Sequence, residues 1–340
     1  MLAVAILPML GIGGQQLFRA ESSGMTKDNK LTPRITETAK ALWLIYVGLT
    51  VSCVLCFWIG GMELFDAIGY AFAAVSTGGY APHDASFAYY PQPLLQWIAI
   101  IFMILGGLNF SLHFLVLRHK RLSLYWKDTE TKGFLAIQLA IILVIFVVLL
   151  VHKIYSSPNQ AFLEAAFQTI SLSTTTGFTT ADLSVWPLFV PILLILGGTI
   201  GACAGSTTGG LKTIRLLLLF KQIWGEIKRL IHPNGIFLLK MNQTIVPLQV
   251  MTSVWAFIGV YVTSCTLLIL ALMACELNFI EAFSAVLSCI ANIGPGLGKL
   301  AANYSSVSDT GKWILSFAMI MGKLEIFSVL VLLSPSFWRD

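Results

Sequence analysis

Apolar residues run in long blocks along this chain, at about 41–62, 93–117, 133–152, 187–220, 248–275 and 312–334. Each block is long enough to cross a bilayer as a helix, which takes about 20 residues. Between the two blocks of each pair lies a shorter apolar run of about 12 residues, which cannot cross. It ends in glycine and hydroxyl residues. The order is span, short helix, span, three times over. That predicts an all-α polytopic membrane protein, with repeated span–pore helix–span units around a central ion pore. The expected boundaries are 40–131, 132–246 and 247–340. Residues 2–18 are also apolar and break into a charged stretch at 19–40, so residues 1–39 read as the end of an earlier inner helix plus a cytoplasmic linker.

The short runs are copies of one another. They read FDAIGYAFAAVSTGGYAPHD (65–84), FLEAAFQTISLSTTTGFTTAD (162–182) and FIEAFSAVLSCIANIGPGLGK (279–299). Aligned on Gly79, Gly177 and Gly294, each has an acidic residue thirteen positions earlier (Asp66, Glu164, Glu281), followed by alanine. These acids are expected in the first turns of their helices, where a carboxylate complements the positive end of the helix dipole. One such run is explained by an ordinary glycine helix cap. Three in register between spans point to re-entrant pore helices, since irregular backbone at membrane depth needs protein or water beside it. Carbonyls in such turns can replace the hydration shell of potassium. The candidate filter is Thr77, Gly78 and Gly79; Thr175, Thr176 and Gly177; and Asn292, Ile293 and Gly294.

Charge orients the repeats. Arg and Lys concentrate in the linkers at 19–40, 118–132 and 212–240 and at Arg339, which places these on the cytoplasmic side. The other side carries Glu63, Asp66, Asp84, Glu164, Asp182, Glu276, Glu281 and Asp309, with only Lys153, Lys299 and Lys312 opposed. An acidic outer mouth concentrates cations. The net +5 therefore reports topology and gives no reason to invoke nucleic acid. With 57% hydrophobic and 11% charged residues, a soluble domain is excluded. No nucleophile–base set or metal cluster emerges, so an enzyme is not expected and no cofactor is called for. The pair Cys53 and Cys56 lies within a span and reads as small packing residues.

One block is interrupted. Residues 197–210, GGTIGACAGSTTGG, form a poor helix in the inner span of the middle unit. Gly197, Gly198, Gly201, Gly205, Ser206, Thr207, Thr208, Gly209 and Gly210 read as an intramembrane gate loop beneath the filter; close helix packing through small residues is the alternative. Gly205, Gly210, Lys212 and Thr213 look like a phosphate-binding loop, but Leu211 breaks the spacing and no strand precedes it. Lys323 and Glu325 lie within the last span. Lys323 reads as a fixed positive charge near the ion path, or as a lysine reaching the interface. Asn109 and His113 read as an ion contact or as polar contacts between helices.

The motifs LAVAILPMLGIGGQQLFRAE (2–21), DNKLTPRITETAKALWLIYV (28–47), TTTGFTTAD (174–182), GACAGSTTGGLK (201–212) and NIGPGLG (292–298) together resemble the Trk-type potassium uptake family, over residues 2–339. The resemblance implies a potassium-translocating subunit of the bacterial inner membrane, multi-pass and lipid-embedded, with potassium as its substrate. It implies a homodimer and a cytosolic nucleotide-binding regulatory partner of the TrkA kind on the basic inner face. It maps the family's filter glycines onto Gly79, Gly177 and Gly294 and its gate onto residues 197–210. The family carries arginine where this chain has Lys323, which keeps charge and loses the planar fork. The family also has four repeats, and residues 1–18 match only the end of the first. Two function classes follow: potassium uptake through a carbonyl filter, or a truncated, non-conducting remnant with an interaction role only.

Overall fold

The computed structural model describes residues 35–338 apart from 236, 243 and 302. The expected inner-helix end at 1–18 therefore lies outside the described residues. Each unit opens on a long helix: α1 (Ile35–Ile59), α6 (Thr129–Val151) and α10 (Leu248–Ala274). All three are long and apolar enough to span. α1 starts at Ile35, upstream of the expected start, so part of the first basic linker is helical.

The short runs fold as expected into α2 (Leu64–Val75), α7 (Pro158–Ser173) and α11 (Phe279–Ala291). Asp66 and Glu281 occupy first turns. Glu164 does not. Pro158 starts α7 early, because its fixed φ and missing N–H suit a first helical turn, and Glu164 falls in the second turn instead.

The inner helices differ from the expectation. The block at 93–117 is two helices, α3 (Pro93–Gly107) and α4 (Phe110–His119), bent by 97°. The bend follows Gly106 and Gly107; Asn109 then caps α4 by accepting from the Ser111 N–H at 2.8 Å. The cap satisfies an end amide and favours a new start. A short helix, α5 (Ser123–Lys127), follows. The middle inner helix is α8 (Phe189–Ile200), an irregular stretch at 201–212, and α9 (Thr213–Ile231). The last is α12 (Asp309–Lys323) and α13 (Ile326–Leu333), bent by 111° around Glu325 at φ +61. All three inner helices break, where the sequence marked one. Between α9 and α10 a hairpin pairs β1 (Lys240–Met241) with β2 (Thr244–Ile245).

Each opening span and each inner helix packs on the pore helix of its own unit. The inner helix also packs on the pore helix of the next, α3 on α7 and α8 on α11. This stepping arranges the three units around one centre. Tyr70, Phe87, Phe167 and Phe178 join the first two units, with Phe87 ring centroids 5.2 Å from Tyr70 and from Phe167. Outward faces are apolar and exposed, as at Trp58, Leu139, Val147 and Leu267, which suits hydrocarbon where all backbone polar groups are paired within helices.

Candidate ion filter and gate

The three pore helices end alike. Thr77, Thr175 and Asn292 adopt left-handed φ of +53, +55 and +57. Their N–H groups reach back three residues, to the carbonyls of Ala74, Leu172 and Cys289. The following residues, Gly78, Thr176 and Ile293, reach back five, to Ala73, Ser171 and Ser288, at 2.8, 2.9 and 2.8 Å. This pair of bonds is a Schellman cap, which ends a helix by turning the chain. The next residues, Gly79, Gly177 and Gly294, have φ of +70, +82 and +108. Left-handed backbone strains any residue with a Cβ, so glycine suits these three positions.

The turns meet in sequence. A Cβ on Gly79 would collide with the Thr176 carbonyl, and one on Gly177 with the Ile293 carbonyl. The structure thus brings Gly79, Thr176, Gly177 and Ile293 into one wall of backbone. On Gly294 a Cβ would meet no described atom within 4 Å. The Gly294 carbonyl accepts a hydrogen bond from the Tyr304 hydroxyl at 2.9 Å, so this third arc is set differently from the other two.

Residues 201–212 lie directly beneath. The Thr207 hydroxyl is 3.1 Å from the Thr77 hydroxyl and 3.2 Å from the carbonyls of Val75 and Gly106. The Gly209 N–H donates to Thr175 Oγ1 at 2.9 Å, and a Cβ on Gly209 would collide with the Ala291 carbonyl. The loop therefore touches the foot of all three turns. It is held at its ends by Leu211 N–H to the Thr199 carbonyl and Thr213 N–H to the Ala202 carbonyl, both 3.0 Å. Ser206 and Thr208 share a hydroxyl contact at 2.7 Å, and Lys212 donates to the Thr208 carbonyl. Gly197 and Gly198, expected in the loop, are the helical end of α8. There a Cβ would press on Ile141 from Gly197 and on Ile293 from Gly198.

Lys323 ends α12 at the third break. Arg215 Nη2 lies 3.1 and 3.2 Å from the two Glu325 carboxylate oxygens, and its guanidinium sits 4.0 Å above the Phe257 ring centre. His113 is drawn into the first bend rather than toward the centre. Its Nε2 is 2.9 Å from the Leu105 carbonyl and its Nδ1 is 2.6 Å from the Tyr125 hydroxyl. On the outer face Asp66 accepts from Tyr90 at 2.5 Å and lies 2.7 Å from His83 Nε2. Thr180 donates to Glu164 at 2.5 Å. These contacts tie pore-helix starts to the loops above them. Neither Glu130 nor Arg215 stands out in the sequence; a lone acid in a basic linker is a weak signal, and an arginine in a basic helix is weaker.

The family model for TrkH, a cation transport protein, matches residues 1–339. The Trk system potassium uptake protein TrkH of Escherichia coli strain K12 is 47% identical over 339 residues, covering 100% of this chain and 70% of that protein. TrkG, the Trk system potassium uptake protein of the same strain, is 38% identical with the same coverage. The crystal structure of the potassium transporter TrkH from Vibrio parahaemolyticus superposes with a TM-score of 0.87 at 44% identity, over 99% of this chain and 69% of that one. The match runs over essentially the whole of this chain, and the chain belongs to the TrkH family of cation transport proteins.

Proposed function

We propose that this chain takes up potassium across the bacterial inner membrane, as the translocating component of a Trk system. The relatives' names, which are those of potassium uptake proteins and not of enzymes, support the transport reading. The observation that carries the mechanism is the repeated cap: three pore helices end in the same turn, each followed by a glycine of positive φ. Carbonyls of Thr77, Gly78, Gly79, Thr175, Thr176, Gly177, Asn292, Ile293 and Gly294 then serve as the potassium filter, within the units 40–131, 132–246 and 247–340. The loop beneath serves as the gate, closed in this arrangement by its contacts to Thr77 and Thr175. Lys323 adds positive charge below it. A cytosolic nucleotide-binding subunit of the TrkA kind docks on the basic inner face, and two copies of the chain pair in the lipid bilayer.

Potassium-limited growth and rubidium tracer uptake, in cells stripped of other potassium uptake, test this. The chain should restore both, and Gly177→Ser should admit sodium. A chain that inserts normally and moves no ion would leave the interaction-only reading standing.

A further inference from the structure

Among the side chains that fasten the loop, one carboxylate stands apart. Glu130, in the first turn of α6, is buried at 5% exposure. Its Oε1 accepts the Ala204 N–H at 2.6 Å. Glu130 thus reaches across from α6 to hold the loop at Ala204. Neighbouring loop bonds are backbone pairs with the first unit's bend, Cys203 N–H to the Gly107 carbonyl at 3.0 Å and Phe110 N–H to the Gly205 carbonyl at 3.1 Å. The other charged groups acting on Glu130 are Asp128 and Lys212.

The backbone that carries Glu130 is itself gripped from the cytoplasmic surface. Asp128 caps α6, with Oδ2 accepting from the N–H and the hydroxyl of Thr131 at 2.8 Å each. Its other oxygen accepts from Asn242 Nδ2 at 2.7 Å, and Asn242 Oδ1 accepts the Thr129 N–H at 2.8 Å. Asn242 sits in the turn between β1 and β2 with left-handed φ of +45. Two reciprocal bonds therefore clamp the exposed hairpin to residues 128 and 129, and the next residue holds the loop.

We infer that Glu130 is the latch of the gate, and that the hairpin turn at Asn242 is the handle through which the cytoplasmic face acts on it. A buried carboxyl oxygen left without its hydrogen-bond donor is costly. The closed loop is favoured while the hairpin keeps Glu130 in place. Displacing the hairpin moves the first turn of α6 and releases Ala204. The inference rests on the gate reading of residues 201–212, and the test separates the two.

The full chain in inside-out membrane vesicles is assayed for rubidium flux, with membrane protein held equal. Glu130→Ala should raise flux about tenfold, the lower end of what losing a hydrogen bond to a charged group is worth. Glu130→Gln, which keeps an acceptor, should fall between it and the parent. Asn242→Ala, on the surface, should raise flux in the same direction by a smaller factor. A second readout follows the loop itself: Cys203, fully buried and free, should react faster with an impermeant thiol reagent in all three variants, with a Cys203→Ser control, while buried Cys289 does not. A structural role alone would not single out Cys203. Deletion of residues 201–205 calibrates the gate and should abolish any further effect of Glu130→Ala. If the deletion raises flux and the Glu130 and Asn242 variants leave flux and Cys203 reactivity unchanged, the latch is wrong and the gate stands. If the deletion leaves flux unchanged, both fall. If Glu130→Ala still raises flux in the deleted chain, it acts elsewhere and the latch is overturned. Should Glu130→Ala fail to reach the membrane, Glu130→Gln and Asn242→Ala decide by the same two readouts.

Discussion

Gly79 and Gly177 each meet two constraints, a left-handed backbone and the next unit's carbonyl where a Cβ would stand; Gly294 meets only the first. Left-handed φ costs an ordinary residue about 1–2 kcal/mol, whereas a collision with backbone forces the neighbouring turn to move. Alanine at Gly79 or Gly177 should therefore lower thermal stability in detergent more than alanine at Gly294, with the Gly294 variant losing only about 1–2 kcal/mol. Equal losses at all three would mean that the turns are not in contact as described. The sequence showed that three glycines shared a register. It could not show that their environments differ, because that depends on which carbonyl each one faces.

At the scale of elements, the pore helices were legible and the inner helices were not. A run of apolar residues closed by hydroxyls and glycine announces its own cap, and all three caps formed. The bends at Leu108 and Glu325 lie in blocks whose mean hydropathy stays high enough across the break for each to pass as one span. Asn109 carried a signal as an N-cap, but its position inside a block suited for spanning masked it. Glu325 has no local reason to adopt φ +61; its pairing with Arg215 from another unit accounts for its position, and no local pattern contains that. The loop between α8 and α9 yields a prediction of its own. Gly209 packs so closely on the Ala291 carbonyl that a Cβ there must displace the loop. Gly209→Ala should then raise rubidium flux in vesicles without a cytosolic partner. Lower or unchanged flux at normal protein levels would show that the loop yields without uncovering the path.

Across the whole molecule, the three breaks do not act separately. The middle break carries Lys212 and Arg215, the last carries Lys323 and Glu325, and one ion pair spans them. Three cations thus lie at this junction, and Arg215 alone pairs with the Glu325 carboxylate. Removing Glu325 leaves positive charge uncompensated on both sides of the junction, and removing the partner as well relieves it. Arg215 is nearly enclosed, with its side chain 10% exposed, while Glu325 is 36% exposed. Solvent therefore screens the pair in part, and a coupling of about 1–2 kcal/mol is expected rather than the full value of a sealed one. Glu325→Gln should destabilise the protein, and adding Arg215→Gln should restore part of the loss, as read from melting of the purified protein at low and high salt. The same single substitution should depress cation flux, since it leaves more net positive charge beside the path, and Lys323→Gln should raise it. Additive stability losses would show that α9 and the last inner helix are not coupled. Coupled stability with no change in flux would show that the charges brace the fold without reaching the ion.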